Sequence, residues 1–252
     1  RIDMRRAVTR RRVPELTNRT RMPPGLRVVR VVRKIGGAVL TWQAVDRRKG
    51  GSASKAGIAR RLREAAEQLG PTYIKLGQII SSGEGVFPPE LVSEFRKCRD
   101  QVPAEPFSVV ERVVSEELGA PIDSVFSEFD REPLAAASIA QVHRAVLREG
   151  PDGHPVEVVV KVQRPSVAKL VMKDLAVMSW LAPFLVGRIP VASLANPPAL
   201  VEVFAQTIVE ELDFRLEAQN MLDVAASFDA LGQTSFIVPR PHPELVTRRM
   251  LV

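Results

Sequence analysis

Apolar residues recur along the chain at two periods, and the change from one to the other divides it. Ile58, Leu62, Ala65, Ala66 and Leu69 step by three and four, the face of an amphipathic helix that Gly70-Pro71 stops. A second helix is predicted after Pro71, with Tyr73, Ile74, Ile79 and Ile80, and Phe87-Pro88-Pro89-Glu90 opens a third, with Leu91, Val92, Phe95 and Cys98 along it. Pro103 and Pro106 break the chain again before a fourth helix from about Val109 to Leu118, closed by Gly119. From Ile122 the period shortens to alternation. Val125, Phe126, Phe129, Ile139, Val142, Ala145 and Leu147 predict strands, Pro151-Asp152-Gly153 a turn, and 156–162 a mostly buried strand of valines interrupted by Glu157 and Lys161. Helices are predicted at about 166–186 and 198–231, then short strands at 236–238 and 245–247.

Upstream of residue 56 the pattern weakens. Residues 1–25 are punctuated by Arg and Pro and read as a mobile arm, 26–45 fit a helix or a strand, and 47–54 (Arg-Arg-Lys-Gly-Gly-Ser-Ala-Ser) read as a flexible linker. The resulting division is a basic arm and linker over 1–55, a helical segment over 56–120 and an α+β body over 121–252.

Charge follows the same division. The 252 residues carry a formal net charge of +7, but residues 1–63 hold 19 Lys and Arg against three acids (Asp3, Glu15 and Asp46), while the remainder is acidic. A basic arm on an acidic body is suited to an anionic surface, either nucleic acid or lipid headgroups; a solvated tail is the alternative. With Trp42 as the arm's only aromatic candidate for stacking, nucleic acid is the weaker partner. A single cysteine excludes an internal disulfide, and three scattered histidines argue against a zinc cage. The N-terminus lacks an apolar stretch with a cleavage site, so the expectation is a protein that is cytoplasmic or peripheral at the cytoplasmic membrane, and not secreted. The longest apolar run, 175–186, contains Pro183 and falls short of the roughly 20 residues of a membrane span. Cys98 reads as a buried helical thiol, His143 as the end of a strand, and His154 and His242 as turn residues beside prolines.

Three pieces carry candidate chemistry. Ala135-Ala136-Ala137-Ser138 lies between predicted strands, where small residues let backbone N–H groups approach a phosphate; alanine does so less freely than glycine because its Cβ excludes positive φ. Lys161 sits inside a run of valines, which is costly unless the ammonium is paired or the strand is an edge with the lysine in water. Glu211, Asp213 and Glu217 lie on one predicted long helix among Phe204, Ile208, Leu212 and Phe214, so part of this acidic set should face protein.

In this order, and with Lys75-Leu76-Gly77-Gln78 upstream, these pieces resemble the UbiB/ADCK family of atypical protein-kinase-like proteins. The resemblance spans about residues 64–252 and includes the context 69–75 and Phe87-Pro88-Pro89-Glu90-Leu91. It implies a protein-kinase-like N-lobe, a small antiparallel sheet with helices, preceded by a helical extension that carries Lys75, Gly77 and Gln78. It implies that Lys161 contacts nucleotide phosphates and pairs with Glu217 as part of the catalytic machinery. The loop at Ala135, Ala136, Ala137 and Ser138 would replace the glycine loop and favour ADP over ATP. Lys75 would pair with Glu211 or Asp213, in an extension folded over the site. The implied ligands are ATP or ADP with Mg²⁺, and the implied partners an anionic membrane surface or isoprenoid lipid, with homo-oligomers a further possibility.

The departures are equally specific. His143-Arg144-Ala145 is not His-Arg-Asp, Asp213-Phe214-Arg215 is not Asp-Phe-Gly, and the sequence reaches Val252 where the strand into a kinase hinge should be ending. The expectation is therefore an N-lobe with its extension, without the C-lobe that supplies metal ligands, from a longer product. The function expected of that product is a kinase-like ATPase in isoprenoid-quinone or related lipid metabolism. The alternative is a catalytically inactive, pseudokinase-type module that binds nucleotide or lipid or acts like a chaperone; nucleic-acid binding ranks last.

Overall fold

The computed structural model describes residues 17, 25–98, 102–150, 152–186 and 196–252. Contacts divide the chain into two compact units, and chain order does not respect the division: 169–208 belong with the helical segment, whereas 102–168 and 209–252 form the unit that holds the sheet.

The helical unit contains α1 (Arg27–Thr41), α2 (Gly51–Leu69), α3 (Pro71–Ser82) and α4 (Pro89–Phe95). It also holds most of α7 (Val167–Leu185) and of α8 (Pro197–Glu211). The expected helix face on α2 is the buried one, with Ile58, Ala65, Ala66 and Leu69 inside. The arm and linker need correction. From Arg27 onward the segment is helical, with a π turn at Trp42–Asp46, and α2 begins at Gly51 inside the expected linker. The expected mobile arm lies largely outside the described residues. Much of the basic charge has partners within this unit: Arg27 makes a two-point pair with the fully buried Asp174, Arg61 pairs with buried Asp46, and Arg63 bridges Glu67 and Glu94. Burial works against the Arg27 charge, and the hydrogen bonds and charge of Asp174 outweigh it. Trp42 is buried, its indole N–H donating to Ser54, so it offers no stacking platform. Among the described residues no helix is long and apolar enough to cross a membrane.

The second unit is built on a sheet of five strands in the order β1–β3–β4–β5, with β2 on the free part of β3's edge. The strands are β1 (Phe126–Phe129), β2 (Ala135–Ala136), β3 (Ala140–Leu147), β4 (Val156–Gln163) and β5 (Met250–Leu251), all antiparallel. Alternation along β3 and β4 gives the sheet two faces. Ala145, Leu147, Val160 and Val162 point into a core completed by Phe126 and by Val110, Val113 and Val114 of α5 (Phe107–Leu118), with the four-residue α6 (Ile122–Val125) packed alongside. On the other face Ala140 and Leu251 meet Phe214 and Ala218 of α9 (Phe214–Ala230).

Three elements differ from their sequence reading. The single helix expected over 198–231 is two, because Asp213 is extended (φ −128°, ψ 94°) and caps α9, accepting from the Arg215 N–H. The N–H of Phe214 turns to the Arg248 carbonyl rather than into α8. Residues 236–238 form no strand, and 243–245 are a 3₁₀ turn (Pro243–Leu245), leaving the last strand at Met250–Leu251. Cys98 follows α4 rather than lying on it and is half-buried.

His143 does not end a strand: it lies in the middle of β3, fully buried between Phe107 and Phe129. Its Nδ1 donates to the Asp130 carbonyl at 2.8 Å, so Nε2 must accept, and the Gln141 amide donates to it at 2.8 Å. That arrangement requires the neutral ring. Burial pushes the His143 pKa down, opposed in part by the Asp130 carbonyl. The unfolded chain therefore takes up a proton that the folded one resists, so stability is complete above the ordinary histidine value near 6.5 and falls as pH drops below it. Urea unfolding at pH 7.5 and 5.5 is expected to show an acid loss in the wild type, bounded by about 1.4 kcal/mol per pH unit for this group, and a smaller loss in His143→Gln.

Candidate nucleotide site

Cross-strand register builds the site. Ala135 lies opposite Val142, Val142 opposite Lys161, and Lys161 opposite Leu251, so one row of side chains crosses four strands on the α9 face. Lys161 is thus on an inner strand, and the edge-strand reading is removed. Its ammonium donates to both carboxylate oxygens of Glu217, at 2.7 Å each, and sits 4.9 Å from the centre of the Phe214 ring. Phe214, Glu217, Ala218 and Met221 follow the three-and-four spacing of one helix stripe. The stripe that packs α9 on the sheet therefore also delivers the carboxylate to the lysine. With side chains 32% and 41% exposed, the pair is open to solvent on one side. An exposed pair is held by about 0–1 kcal/mol, so an incoming phosphate can share the lysine at small cost.

The alanine motif is a hairpin. Ala135 and Ala136 form β2 against Val142 and Gln141, and the turn closes with the Ala137 N–H donating to the Ala140 carbonyl at 2.8 Å. No non-glycine residue among those described has positive φ, so this turn adopts none of the backbone that a glycine loop makes available. β2 and β4 flank β3 on either side, roughly 10 Å apart at two strand spacings.

Glu211, Asp213 and Glu217 do not share one helix. Glu211 ends α8, half-buried, while Asp213 caps α9 and holds Arg215 through Nε at 2.7 Å and Nη2 at 2.6 Å. The Asp213 hydrogen bond, against the opposing effect of burial, raises the Arg215 pKa.

Lys75, Gly77 and Gln78 lie on α3 of the helical unit, Lys75 and Gln78 half-buried and Gly77 buried. Gly77 is explained locally: a Cβ there would run into the ring of Phe95 on α4. Glu211 and Asp213 belong to the sheet unit and Lys75 to the helical unit.

Sequence reasoning missed Arg164, Gln141 and Gln163. Arg164 leaves β4 three residues after Lys161, its guanidinium on the Ala137 and Pro103 carbonyls; Gln163 donates to the Leu212 carbonyl, where α8 ends. The available signal was Gln163-Arg164-Pro165, a polar pair at the exit of a valine strand.

An inner-strand lysine paired with a helical glutamate, beside a small-residue hairpin, defines the N-lobe of a protein-kinase-like fold. Residues 97–252 match the model of the ABC1 atypical kinase-like domain. Over 75% of the chain the sequence is 39% identical to a chloroplastic aarF domain-containing protein kinase of Arabidopsis thaliana. Over 86% it is 37% identical to a Pseudomonas paraeruginosa protein named "Probable protein kinase UbiB", and over 77% it is 35% identical to one of the same name from Vibrio atlanticus. Among solved structures, the complex of Mycobacterium tuberculosis Rv3197 with erythromycin is similar over 69% of this chain and 42% of that one, at 30% identity and a TM-score of 0.44. The chain belongs to the ABC1/UbiB family of atypical kinase-like proteins. It spans 35–38% of the length of these curated relatives.

Because the Phe95 ring occupies the space a Cβ would need, Gly77→Ala is expected to cost about 1–3 kcal/mol. Urea denaturation of the full-length protein measures it, and a change within 0.5 kcal/mol, roughly the scatter of a surface substitution, would show that the contact is not tight.

Proposed function

We propose that the sheet unit is the nucleotide-binding part of a UbiB-type, kinase-like ATPase whose full-length form acts in isoprenoid-quinone or related lipid metabolism. The observation that carries the nucleotide reading is Lys161 held on both oxygens of Glu217, on a β-strand adjoining the alanine hairpin strand. In this reading Lys161 grips the phosphates of ATP or ADP, Glu217 keeps its ammonium extended toward them, and the hairpin at Ala135, Ala136, Ala137 and Ser138 covers them with its backbone. Lys75 pairing with Glu211 or Asp213 is part of the same proposal. Magnesium would arrive with the nucleotide. Among the described residues no group of three or more His, Cys, Asp or Glu is placed to hold a metal ion.

The relatives' UbiB name supports the quinone assignment. Attachment to an anionic membrane surface draws support from α1, where Val29 and Leu40 are exposed together with Arg30 and Arg33. Calorimetry on the full-length protein with ADP and with ATP tests the nucleotide reading. Wild type is expected to bind and Lys161→Met to lose at least tenfold in affinity, while Ala136→Gly, by freeing the hairpin backbone, should tilt preference toward ATP. Wild-type protein that binds neither nucleotide at millimolar concentration would end the reading.

The second reading, a nucleotide- or lipid-binding module without turnover, is favoured by a cavity in the helical unit. It measures about 190 Å³ and is lined by apolar side chains of α1–α4, α7 and α8, Val31, Leu69, Tyr73, Phe95, Met178 and Leu200 among them. That is larger than the roughly 150 Å³ apolar cavity known to stay dry and take up benzene. Tyr73 is buried there with no hydrogen-bond partner for its hydroxyl among the described residues. Burial, reinforced by Asp174, pushes its pKa well up, so the hydroxyl remains a neutral donor. Tyr73→Phe is expected to unfold at an equal or higher temperature than wild type without ligand, because an unsatisfied group is removed. The isoprenoid alcohol farnesol should stabilise wild type more than this variant; equal shifts would separate the cavity from lipid binding.

A further inference from the structure

Arg164 is the least expected side chain of the sheet unit. Its guanidinium is only 8% exposed, yet one carboxylate faces it, Glu105 at 3.3 Å from Nη1. Its remaining contacts are backbone carbonyls: Ala137 at 3.1 Å from Nε, and Pro103 at 2.6 Å and Val102 at 3.5 Å from Nη2. The Arg164 backbone N–H also donates to the Ile139 carbonyl at 3.0 Å. A buried guanidinium is expensive to keep and is retained where its planar fork fixes several acceptors at once.

What it fixes is the turn of the alanine hairpin. A trans peptide holds its carbonyl and the next N–H in one plane, pointing in opposite directions, so holding the Ala137 oxygen also sets the direction of the Ser138 N–H. The opposite end of the fork closes on residues 102–105, and Gln141 closes on them from β3, its Oε1 accepting from the Glu105 N–H at 2.9 Å. Gln141 lies opposite Ala136, so the same glutamine adjoins the hairpin and the clamped segment. Arg164 and Lys161 leave the same strand three residues apart, which ties the loop over the phosphates to the strand that supplies the lysine.

We propose that Arg164 is a positioning residue of the nucleotide site: it holds the alanine hairpin in its phosphate-receiving shape, and it does so only while residues 102–105 remain docked in its fork. The assignment rests on the nucleotide reading above. It makes the segment preceding α5 a control point, since withdrawing 102–105 would release the guanidinium from two of its three carbonyls and from its carboxylate, leaving that side chain anchored only by the Ala137 carbonyl it is meant to hold.

The test combines ADP and ATP binding by calorimetry with hydrogen exchange of the 136–140 amides in the unliganded full-length protein. Arg164→Lys keeps the charge but cannot span the carbonyls; it is expected to weaken nucleotide binding about tenfold, the scale of a lost charge-assisted hydrogen bond, and to speed exchange at 136–140. Glu105→Gln removes the one carboxylate that docks 102–105 in the fork and is expected to shift both readouts in the same direction as Arg164→Lys, by a smaller factor; no shift on either would overturn the dependence on 102–105. If Arg164→Lys does not fold, Arg164→Gln, which can donate to one carbonyl at a time, takes its place. A variant that melts earlier yet keeps wild-type affinities and exchange at 136–140 would make Arg164 a structural residue and overturn the proposal. Wild type that fails to bind nucleotide, indistinguishable from Lys161→Met, overturns the nucleotide reading itself and this assignment with it, whatever the exchange shows.

Discussion

A lysine on an inner strand has to be answered by an anion, and the sheet unit is arranged around that requirement. Lys161 points to the face away from the main core, where Phe214 and Ala218 press α9 against Ala140 and Leu251. Helical spacing then leaves Glu217 directly over the ammonium. Had α8 run on through residue 213 without a break, the register of these side chains would have been set by α8 instead of by the sheet. The extended Asp213, capping α9 and gripping Arg215, is what frees the second helix to dock. The ion pair is a small energetic contribution in itself, being partly exposed. Its importance is positional, because it fixes where the lysine's charge stands.

The hairpin beside it keeps a tight turn without glycine. Its alanines keep to the ordinary side of the φ map, so shape cannot come from backbone freedom and has to be imposed from outside. Strand pairing with β3 imposes part of it, and the Arg164 fork the rest. The chain thereby exchanges a flexible loop for a braced one. Behind it, Gln141 and His143 form a hydrogen-bonded line from the Glu105 backbone to the Asp130 carbonyl, in which every donor has an acceptor as long as the imidazole is neutral.

The helical unit uses its charge in a different way. A sequence so rich in arginine suggests a surface for anions, but three of its arginines are engaged inside the unit: Arg27 with Asp174, Arg61 with Asp46, and Arg63 with Glu67 and Glu94. Arg30 and Arg33 of α1 are exposed, as are Arg48, Lys55 and Arg60. Gly77 has a steric role, giving Phe95 room to lie against α3. Lys75 and Gln78, on either side of it, are half-buried rather than part of that packing contact.

Local pattern determined a good deal: the α2 face, the helices at 71–82 and 89–95 and the valine strand, of which the second half is buried, were legible because period is a property of the chain itself, whereas Lys161, Glu217, Ala135–Ser138, Lys75 and Gly77 were singled out together by a family resemblance. The break at Asp213 was not, since acidic and apolar residues continue at helical spacing and only the Phe214–Arg248 backbone bond diverts the chain. Nor was the helical start of the basic segment, whose Gly50-Gly51 and serines resemble a linker until Trp42 and Ser54 bond across it. His143 looked peripheral for the same reason, its partners lying on residues 130 and 141 and on two phenylalanine rings. Arg164 is the clearest case. Its neighbours mark only a polar exit from a valine strand, because the carbonyls that hold it come from residues 102, 103 and 137, and only folding brings those distant backbone groups to one guanidinium.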